Sequence, residues 1–197
     1  MAIYHAFVIA LVAATAAAGQ APAPQDPSDR DRPALAEFTR RVNAYVAVKS
    51  AAATTVLPLV QLQDPAEIRR RTEALATVIR SARWAARQGD IFAPEIGHAI
   101  RRAIRRGCQG DYATLLVLAQ EDLVRLPPPP AVHARWPAGV PLPTMLPGVL
   151  AELPPLPAGL QYRFIDRALV LLDIDANLIV DFLPDVIPIL TETDDAH

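Results

Sequence analysis

A Pro-rich segment, residues 127–157, constrains the fold of this 197-residue chain more than any other feature, because it holds 11 of the 20 prolines. Proline lacks a backbone N–H and has a fixed φ, so neither a long helix nor a central strand can cross such a segment. Residues 33–126 on one side show helical spacing of apolar residues, and residues 158–190 on the other alternate like strands. We predict an α+β fold, in which this Pro-rich connector joins an N-terminal amphipathic helical bundle to a small C-terminal antiparallel β-meander.

The first predicted helix of the helical domain, residues 33–126, spans 33–56. Asp31 precedes it as a cap, and Pro58 ends it because proline disfavours helical geometry in the residue before it. Spacings of three, four and seven residues place its apolar positions on one face. These inward positions are Leu35, Phe38, Val42, Tyr45 and Ala52.

The second predicted helix has the clearest start in the chain, with Asp64 as its cap, Pro65 in its first position and Glu67 in its third. Gly89 supplies its end. Its inward positions are Ile68, Thr72, Leu75, Ile79, Ala82 and Ala86. A third helix over 94–106 has Ile96, Ile100, Ala103 and Ile104 inward, and a fourth spans 111–126. Short connections between the four helices predict a compact bundle.

Three short strands are predicted after the connector, which itself contains a short helix near residues 146–153. The strands cover 160–164, 169–172 and 178–182, with turns at Asp166-Arg167 and at 173–177. The central strand is apolar on both faces, and three strands of this length are marginally stable alone. We therefore expect the helices, the connector around 146–156 or a second molecule to cover each face.

Residues 1–18 have the pattern of a cleaved secretory signal peptide. An apolar run ends in Ala16-Ala17-Ala18, which matches the A-x-A cleavage pattern, and the run is shorter than the roughly 20 residues that cross a bilayer as a helix. We expect cleavage after Ala18, a periplasmic or secreted location and no membrane span afterwards; the alternatives are an uncleaved anchor and a buried helix. Residues 19–32 are expected to form a flexible leader, and residues 191–197 an acidic tail.

Residue types that perform covalent or metal chemistry are few. The three serines lie outside any nucleophile motif, and the eight glycines form no nucleotide-binding pattern. The three histidines after residue 18, His98, His133 and His197, are spread over a helix, the connector and the tail. Cys108 has no intrachain disulfide partner, although a dyad with one of the first two histidines stays open. We predict no catalytic residue, no cofactor-binding residue and no metal ligand.

The run Asp173-x-Asp175-x-Asn177 begins like a calcium-binding loop. Its sixth position, which needs glycine, is Leu178, and its twelfth position, which needs a bidentate glutamate, is Pro184. We interpret the run as turn residues, with a weak surface cation site as the alternative.

Basic and acidic residues are unevenly distributed along a chain whose net charge is −2. Residues 64–106 carry ten arginines against five acids, and residues 158–197 carry eight acids against two arginines. The candidate anion- or partner-binding residues are Arg69, Arg80, Arg83, Arg87, Arg101 and Arg105. The alternatives are solvated helix faces and attraction between the two halves or between chains. The overall charge and the few aromatic residues argue against a specific nucleic-acid partner.

The C-terminal region carries a family resemblance. Residues 153–164 (LPPLPAGLQYRF), 169–173 (LVLLD) and 177–182 (NLIVDF) resemble the C-terminus of uncharacterised secreted bacterial proteins. The Pro-rich lead-in, Tyr162-Arg163 and the alternating strands also resemble the short hairpin of RcnB-type periplasmic proteins, which are linked to nickel and cobalt homeostasis. Asp166 stands where glycine is usual, and no metal ligand carries over. The resemblance implies an exported bacterial protein with a sheet appendage.

These observations favour an exported, non-catalytic envelope or secreted interaction protein. Its partner would be an unknown protein or a second copy bound through the β-meander. The alternative is a hydrolase-like enzyme whose site of acids and arginines has no local motif. A deep pocket lined by acids, or by arginines with His98, would favour the enzyme, whereas a flat apolar surface over the meander would favour the binding protein.

Overall fold

A computed structural model describes residues 27–56, 58, 64–120, 128–136 and 140–189. The described elements are α1 (Pro27–Ala53), α2 (Pro65–Ala82), α3 (Pro94–Gly107), α4 (Tyr112–Gln120), α5 (Pro147–Glu152), β1 (Leu160–Ile165), β2 (Ala168–Asp173) and β3 (Leu178–Leu183). Several helices followed by a three-stranded antiparallel sheet confirm the predicted α+β fold. None of the described helices is both long and apolar enough to cross a membrane. The predicted signal peptide, 1–18, the leader residues 19–26 and the acidic tail, 191–197, lie outside the described residues.

Helix α1 starts earlier than predicted, at Pro27, and runs through Pro33. Asp31 does not cap the helix, because its side chain points into the protein and is 1% exposed. There its carboxylate accepts a hydrogen bond from Arg102 Nε of α3 at 3.0 Å. The prediction that residues 27–32 belong to a flexible leader is therefore wrong, since an ion pair with α3 holds the first turns of α1.

The predicted start of α2 is confirmed, because Asp64 Oδ1 accepts a hydrogen bond from the backbone N–H of Ala66 at 2.9 Å. Its predicted end is wrong. Helix α2 stops at Ala82, and Gly89 lies in the following loop with a φ of +90°. The inward stripe is correct only in the middle of the helix, since Ile68 is 37% exposed. The buried residues of α2 are Leu75, Ala76 and Ile79.

Helix α3 buries the four positions predicted to point inward, namely Ile96, Ile100, Ala103 and Ile104. Its last residue, Gly107, lies against α5, where an added Cβ would come within 2.6 Å of the Gly148 carbonyl oxygen. The contact therefore requires glycine. Helix α5 confirms the short helix predicted in the connector. Helix α4 begins one residue after the predicted start at Asp111, and the part of that prediction beyond Gln120 lies outside the described residues.

The strands pair in the order β1-β2-β3, which confirms the meander. Every residue of β2 is buried. On one face, Tyr162, Phe164 and Leu171 belong to the core that the helices share with the sheet. The ring of Phe38 in α1 lies 6.3 Å from the ring of Tyr162 and 5.5 Å from that of Phe92, measured between centroids. The helices therefore cover this face of the sheet.

The opposite face of the sheet is covered by the connector. Val170, which is fully buried, packs in a second cluster with Trp136. The N–H of His133 donates to the Ile179 carbonyl, and the N–H of Ile179 donates to the Ala134 carbonyl, both at 2.8 Å. The connector thus pairs with the outer edge of β3. Of the covers expected, the helices supply one face and the connector the other, although through Ala134, Trp136 and Val140 instead of residues 146–156.

Candidate functional site

The first acid of the calcium-like run belongs to a buried hydrogen-bond network. Asp173, at the end of β2, accepts from the Tyr45 hydroxyl at 2.6 Å, from Lys49 Nζ at 2.9 Å and from the backbone N–H of Ala176 at 3.1 Å. Lys49 Nζ also pairs with Asp175 at 2.7 Å. Burial and the neighbouring Asp173 carboxylate raise the pKa of the Tyr45 hydroxyl. This network joins α1 to the sheet, so its acids have a structural role.

Asp181 in β3 is a second fully buried acid, and it holds the α2–α3 loop. The pairing of β3 with β2 shifts at Val180, where a bulge turns the Asp181 side chain towards the helices. Its carboxylate accepts from the N–H groups of Gly89 at 2.9 Å, Ile91 at 2.7 Å and Phe92 at 2.8 Å. Burial raises the pKa of this carboxyl, and the N–H bonds oppose that rise. These bonds hold the loop between α2 and α3 against the sheet.

Within the described part of the chain, neither buried acid belongs to a group of side chains that could hold a metal ion. Among the residues that the structure describes, no group of three or more His, Cys, Asp or Glu side chains is arranged to hold a metal ion. Asp173 and Asp181 are both buried. The count of acidic residues in 158–197 is therefore larger than the number of carboxylates that this region exposes on the surface.

Two of the candidate arginines at α2 hold the sheet and the connector. Arg80 Nε donates to the His133 carbonyl at 3.3 Å, and Arg83 Nη1 donates to the Val180 carbonyl at 3.2 Å. The guanidinium of Arg83 also lies 5.1 Å from the centroid of the Tyr45 ring, a cation–π contact. The two arginines thus donate to backbone carbonyls of the sheet and the connector. Helical spacing alone could not predict these partners, because they lie far away in the sequence.

The other two candidate arginines of this group are exposed and lie apart. Arg69 borders a cleft of about 460 Å³ together with Arg135 and Trp136. Arg87 lies in the loop after α2. The structure therefore does not bring the four arginines of the predicted sector together in one binding surface.

The candidates on α3 do converge. Arg101 and Arg105 line a surface cleft of about 310 Å³ together with Arg102, His98 and Tyr112. Asp185, Val186 and Pro188, which follow β3, also line this cleft. The sequence predicted the first two arginines as a shared face, whereas it missed Arg102 and Tyr112. The only signal for Arg102 was its place in the Arg-Arg pair that begins at 101.

Each arginine of this cleft is held by its own protein acceptor. Arg101 Nη2 donates to the Pro184 carbonyl at 2.8 Å, and Arg105 Nε donates to the Tyr112 hydroxyl at 3.2 Å. Arg102 is bound by the buried carboxylate of α1. These bonds leave each of the three side chains at least one terminal nitrogen with no acceptor among the described residues. These bonds fix the orientation of the three arginines within the protein itself.

The cleft has an excess of positive charge. Three arginines and one acid, Asp185, line it, and Asp185 is paired with Arg167 at 3.2 Å. Behind the cleft, the hydrogen bonds from Arg102 hold the pKa of the Asp31 carboxyl below its ordinary value. Both acids beside the cleft therefore already have arginine partners.

We expected an enzyme to have a deep pocket lined by acids, or by arginines together with His98, and the cleft meets this condition only in part. It combines arginines with His98, but it is shallow, because His98, Arg102 and Arg105 are exposed. Cys108 is buried, and its Sγ bonds to the Arg105 carbonyl at 3.7 Å. Within the described part of the chain, Cys108 forms a hydrogen-bonded dyad with neither His98 nor His133.

Comparison of the chain with family models, with curated proteins and with solved structures finds no match.

Proposed function

We propose that this protein is an exported, non-catalytic binding protein that engages an anionic group of an envelope or secreted partner at the arginine cleft of α3. The single observation that carries the proposal is the convergence of Arg101, Arg102 and Arg105 around one cleft, each oriented by a separate protein acceptor. The A-x-A pattern at residues 16–18 supports export.

Guanidinium groups suit this role because their planar N–H donors match carboxylate and phosphate oxygens. Holding a long side chain in place before binding reduces the conformational entropy that a ligand must overcome. The bond of Arg105 to Tyr112 and that of Arg101 to Pro184 both have this effect. The site therefore combines charge with orientation, which a solvated helix face lacks.

Binding fits this geometry better than the hydrolase-like alternative. A hydrolase needs a nucleophile or a general base that a second group orients. His98 lines the cleft, yet no carboxylate among the described residues is hydrogen-bonded to it. The acids nearby, Asp31 and Asp185, are paired with arginines instead.

The proposal is tested with the full chain and a fluorescein-labelled tetraglutamate peptide as an anionic probe, by fluorescence anisotropy at low ionic strength. We expect saturable binding that weakens with added salt, because exposed charges are screened. Arg105→Gln should raise the Kd about tenfold, the loss of one charge-assisted hydrogen bond. Arg87→Gln is the matched control, since it removes the same charge from an exposed site outside the cleft.

Two results would contradict the proposal. One is the absence of saturable binding by the unaltered chain. The other is an equal loss of affinity in Arg105→Gln and Arg87→Gln, which would mean that the probe responds to net charge alone. If the cleft is the site, a pull-down from the native envelope should also lose its partner with Arg105→Gln and retain it with Arg87→Gln.

A further inference from the structure

We propose that residues 131–134 of the connector, which we call the strap, form an acid-sensitive latch. Protonation of the His133 imidazole releases the strap from β3 and uncovers the outer edge of that strand. None of the residues that build the latch lines the arginine cleft, so the latch and the proposed anion-binding site are separate features of the molecule.

Backbone groups of His133 and Ala134 attach the strap to its neighbours. The N–H of His133 donates to the Ile179 carbonyl, and the N–H of Ile179 donates to the Ala134 carbonyl, both at 2.8 Å. Arg80 Nε of α2 donates to the His133 carbonyl at 3.3 Å. Release of the strap would therefore leave both backbone groups of Ile179 unpaired, and an unpaired strand edge is a surface on which another chain can pair.

The backbone of the strap is held in an unusual conformation. His133 has a φ of +67°, in the left-handed region that few residues other than glycine adopt. Such a conformation persists only while the surrounding contacts hold it. The connector after the strap has its own anchor, because Asn177 Oδ1 accepts from the N–H of Trp136 at 3.2 Å and Asn177 Nδ2 donates to the Trp136 carbonyl at 3.1 Å. The strap can therefore be released locally.

The imidazole of His133 lies where a second proton is unfavourable. Its Nε2 is buried and has no hydrogen-bond partner among the described residues. Burial, followed by the positive charges of Arg83 and Arg80 on α2, lowers the pKa of His133 below its ordinary value of 6.5. A protonated ring in this position would be buried without an acceptor beside two guanidinium groups.

The other charged groups around the strap do not offset that charge. Arg135, which follows the strap, is paired with Glu73 of α2 at 3.3 Å. The residues of β3 that accept from the strap and from α2, Ile179 and Val180, are apolar. The carboxylate of Asp181 is bound to the loop between α2 and α3. The imidazole therefore takes up a proton most readily when it leaves this position.

The direction of the pH dependence follows from the lowered pKa. The released strap binds the proton with the ordinary pKa of 6.5, whereas the attached strap binds it with a lower pKa. The attached form is therefore fully stable above about pH 6.5 and loses stability as the pH falls below that value. One proton changes the ratio of attached to released molecules about tenfold per pH unit, until the pH reaches the lower pKa of the attached form.

The test is amide hydrogen exchange of the full chain, measured by NMR between about pH 7.5 and about pH 5. Rates are expressed as protection factors, which correct for the intrinsic pH dependence of exchange. We expect the protection factor of the Ile179 N–H to fall about tenfold per pH unit below about pH 6.5. The N–H of Val170 should keep its protection, because Val170 pairs with β1 in the ladder and not with the strap.

Two variants assign the response to one histidine. His133→Asn should abolish the pH dependence at Ile179, because asparagine also adopts a positive φ but does not titrate. His98→Asn is the matched control, since it removes an exposed histidine outside the strap, and it should leave the pH dependence unchanged.

Constant protection of Ile179 in the unaltered chain would overturn the latch. A pH dependence that persists in His133→Asn would also overturn it and would assign the response to another acid or base. Equal losses at Ile179 and Val170 would mean that acid unfolds the whole sheet, which contradicts a local release. If His133→Asn detaches the strap at every pH, NMR titration of the His133 ring in the unaltered chain takes its place. A pKa below 6.5 supports the latch, and a pKa at or above 6.5 overturns it.

Discussion

Replacing Val170 by aspartate tests how the meander is covered. Val170 is fully buried in β2, on the face that Trp136 of the connector covers. Loss of a buried valine side chain costs roughly 1.5–3 kcal/mol, and a buried carboxyl without a hydrogen-bond partner costs about 2 kcal/mol or more. We expect Val170→Asp to lower the free energy of unfolding by at least about 3.5 kcal/mol, which is a large part of the roughly 5 kcal/mol that holds a marginally stable domain together.

The assay is urea denaturation followed by far-UV circular dichroism, with size-exclusion chromatography of each variant. Val117→Asp is the matched control, because it makes the same substitution at a site on α4 that is 66% exposed. The control should cost less than about 1 kcal/mol. Trp136→Ala, which removes the covering side chain, should cost about 3 kcal/mol.

Equal urea midpoints for Val170→Asp and Val117→Asp would refute the packing argument. A second refuting result is a stability of the unaltered chain that rises with protein concentration, because cover by a second molecule would follow mass action. We expect no such dependence, since Trp136 and its neighbours in the connector already bury Val170.

Three further predictions follow from the buried acids and the sequence. Hydrogen bonds from Arg102 lower the pKa of the Asp31 carboxyl. The ionised carboxylate therefore stabilises the fold fully at pH values above the unfolded-state pKa of about 3.9. This stabilisation is lost as the pH falls through the lower pKa of the folded state. Asp31→Asn should therefore destabilise the chain by about 1.5 kcal/mol at pH 7, with the difference shrinking below about pH 4; a constant difference in denaturation at both pH values would contradict this. Asp181→Ala should cost about 3 kcal/mol and speed amide hydrogen exchange at Ile91 and Phe92, whose N–H groups lose their acceptor; unchanged exchange would show that the loop is held otherwise. N-terminal sequencing of exported protein should begin at or near Gly19, and retention of Met1 would overturn the signal-peptide interpretation.

Much of the fold follows from local sequence patterns. The alternation that predicted the meander is set by residues two apart, and the strands observed match it to within one residue at each end. Asp64 and Pro65 predicted the start of α2, because a cap acts within a single turn. Within the candidate site, helical spacing correctly placed Arg101 and Arg105 on one face. These features could be predicted from the sequence because the residues that cause each of them lie within a few positions of one another.

Only the tertiary structure decided which charged side chains are buried and which partners they bind. Asp31 had the position of a cap, yet its partner Arg102 lies 71 residues away and draws it inward. Asp173 lies in a run of residues that are typical of turns. Its carboxylate nevertheless accepts a hydrogen bond from the Tyr45 hydroxyl, 128 residues away in the sequence. A charge can be buried only where a specific partner offsets its lost hydration. Such partners come together through the packing of the whole chain, so the periodicity of one segment could predict the helix face of the cleft but not its rim, its acceptors or Arg102.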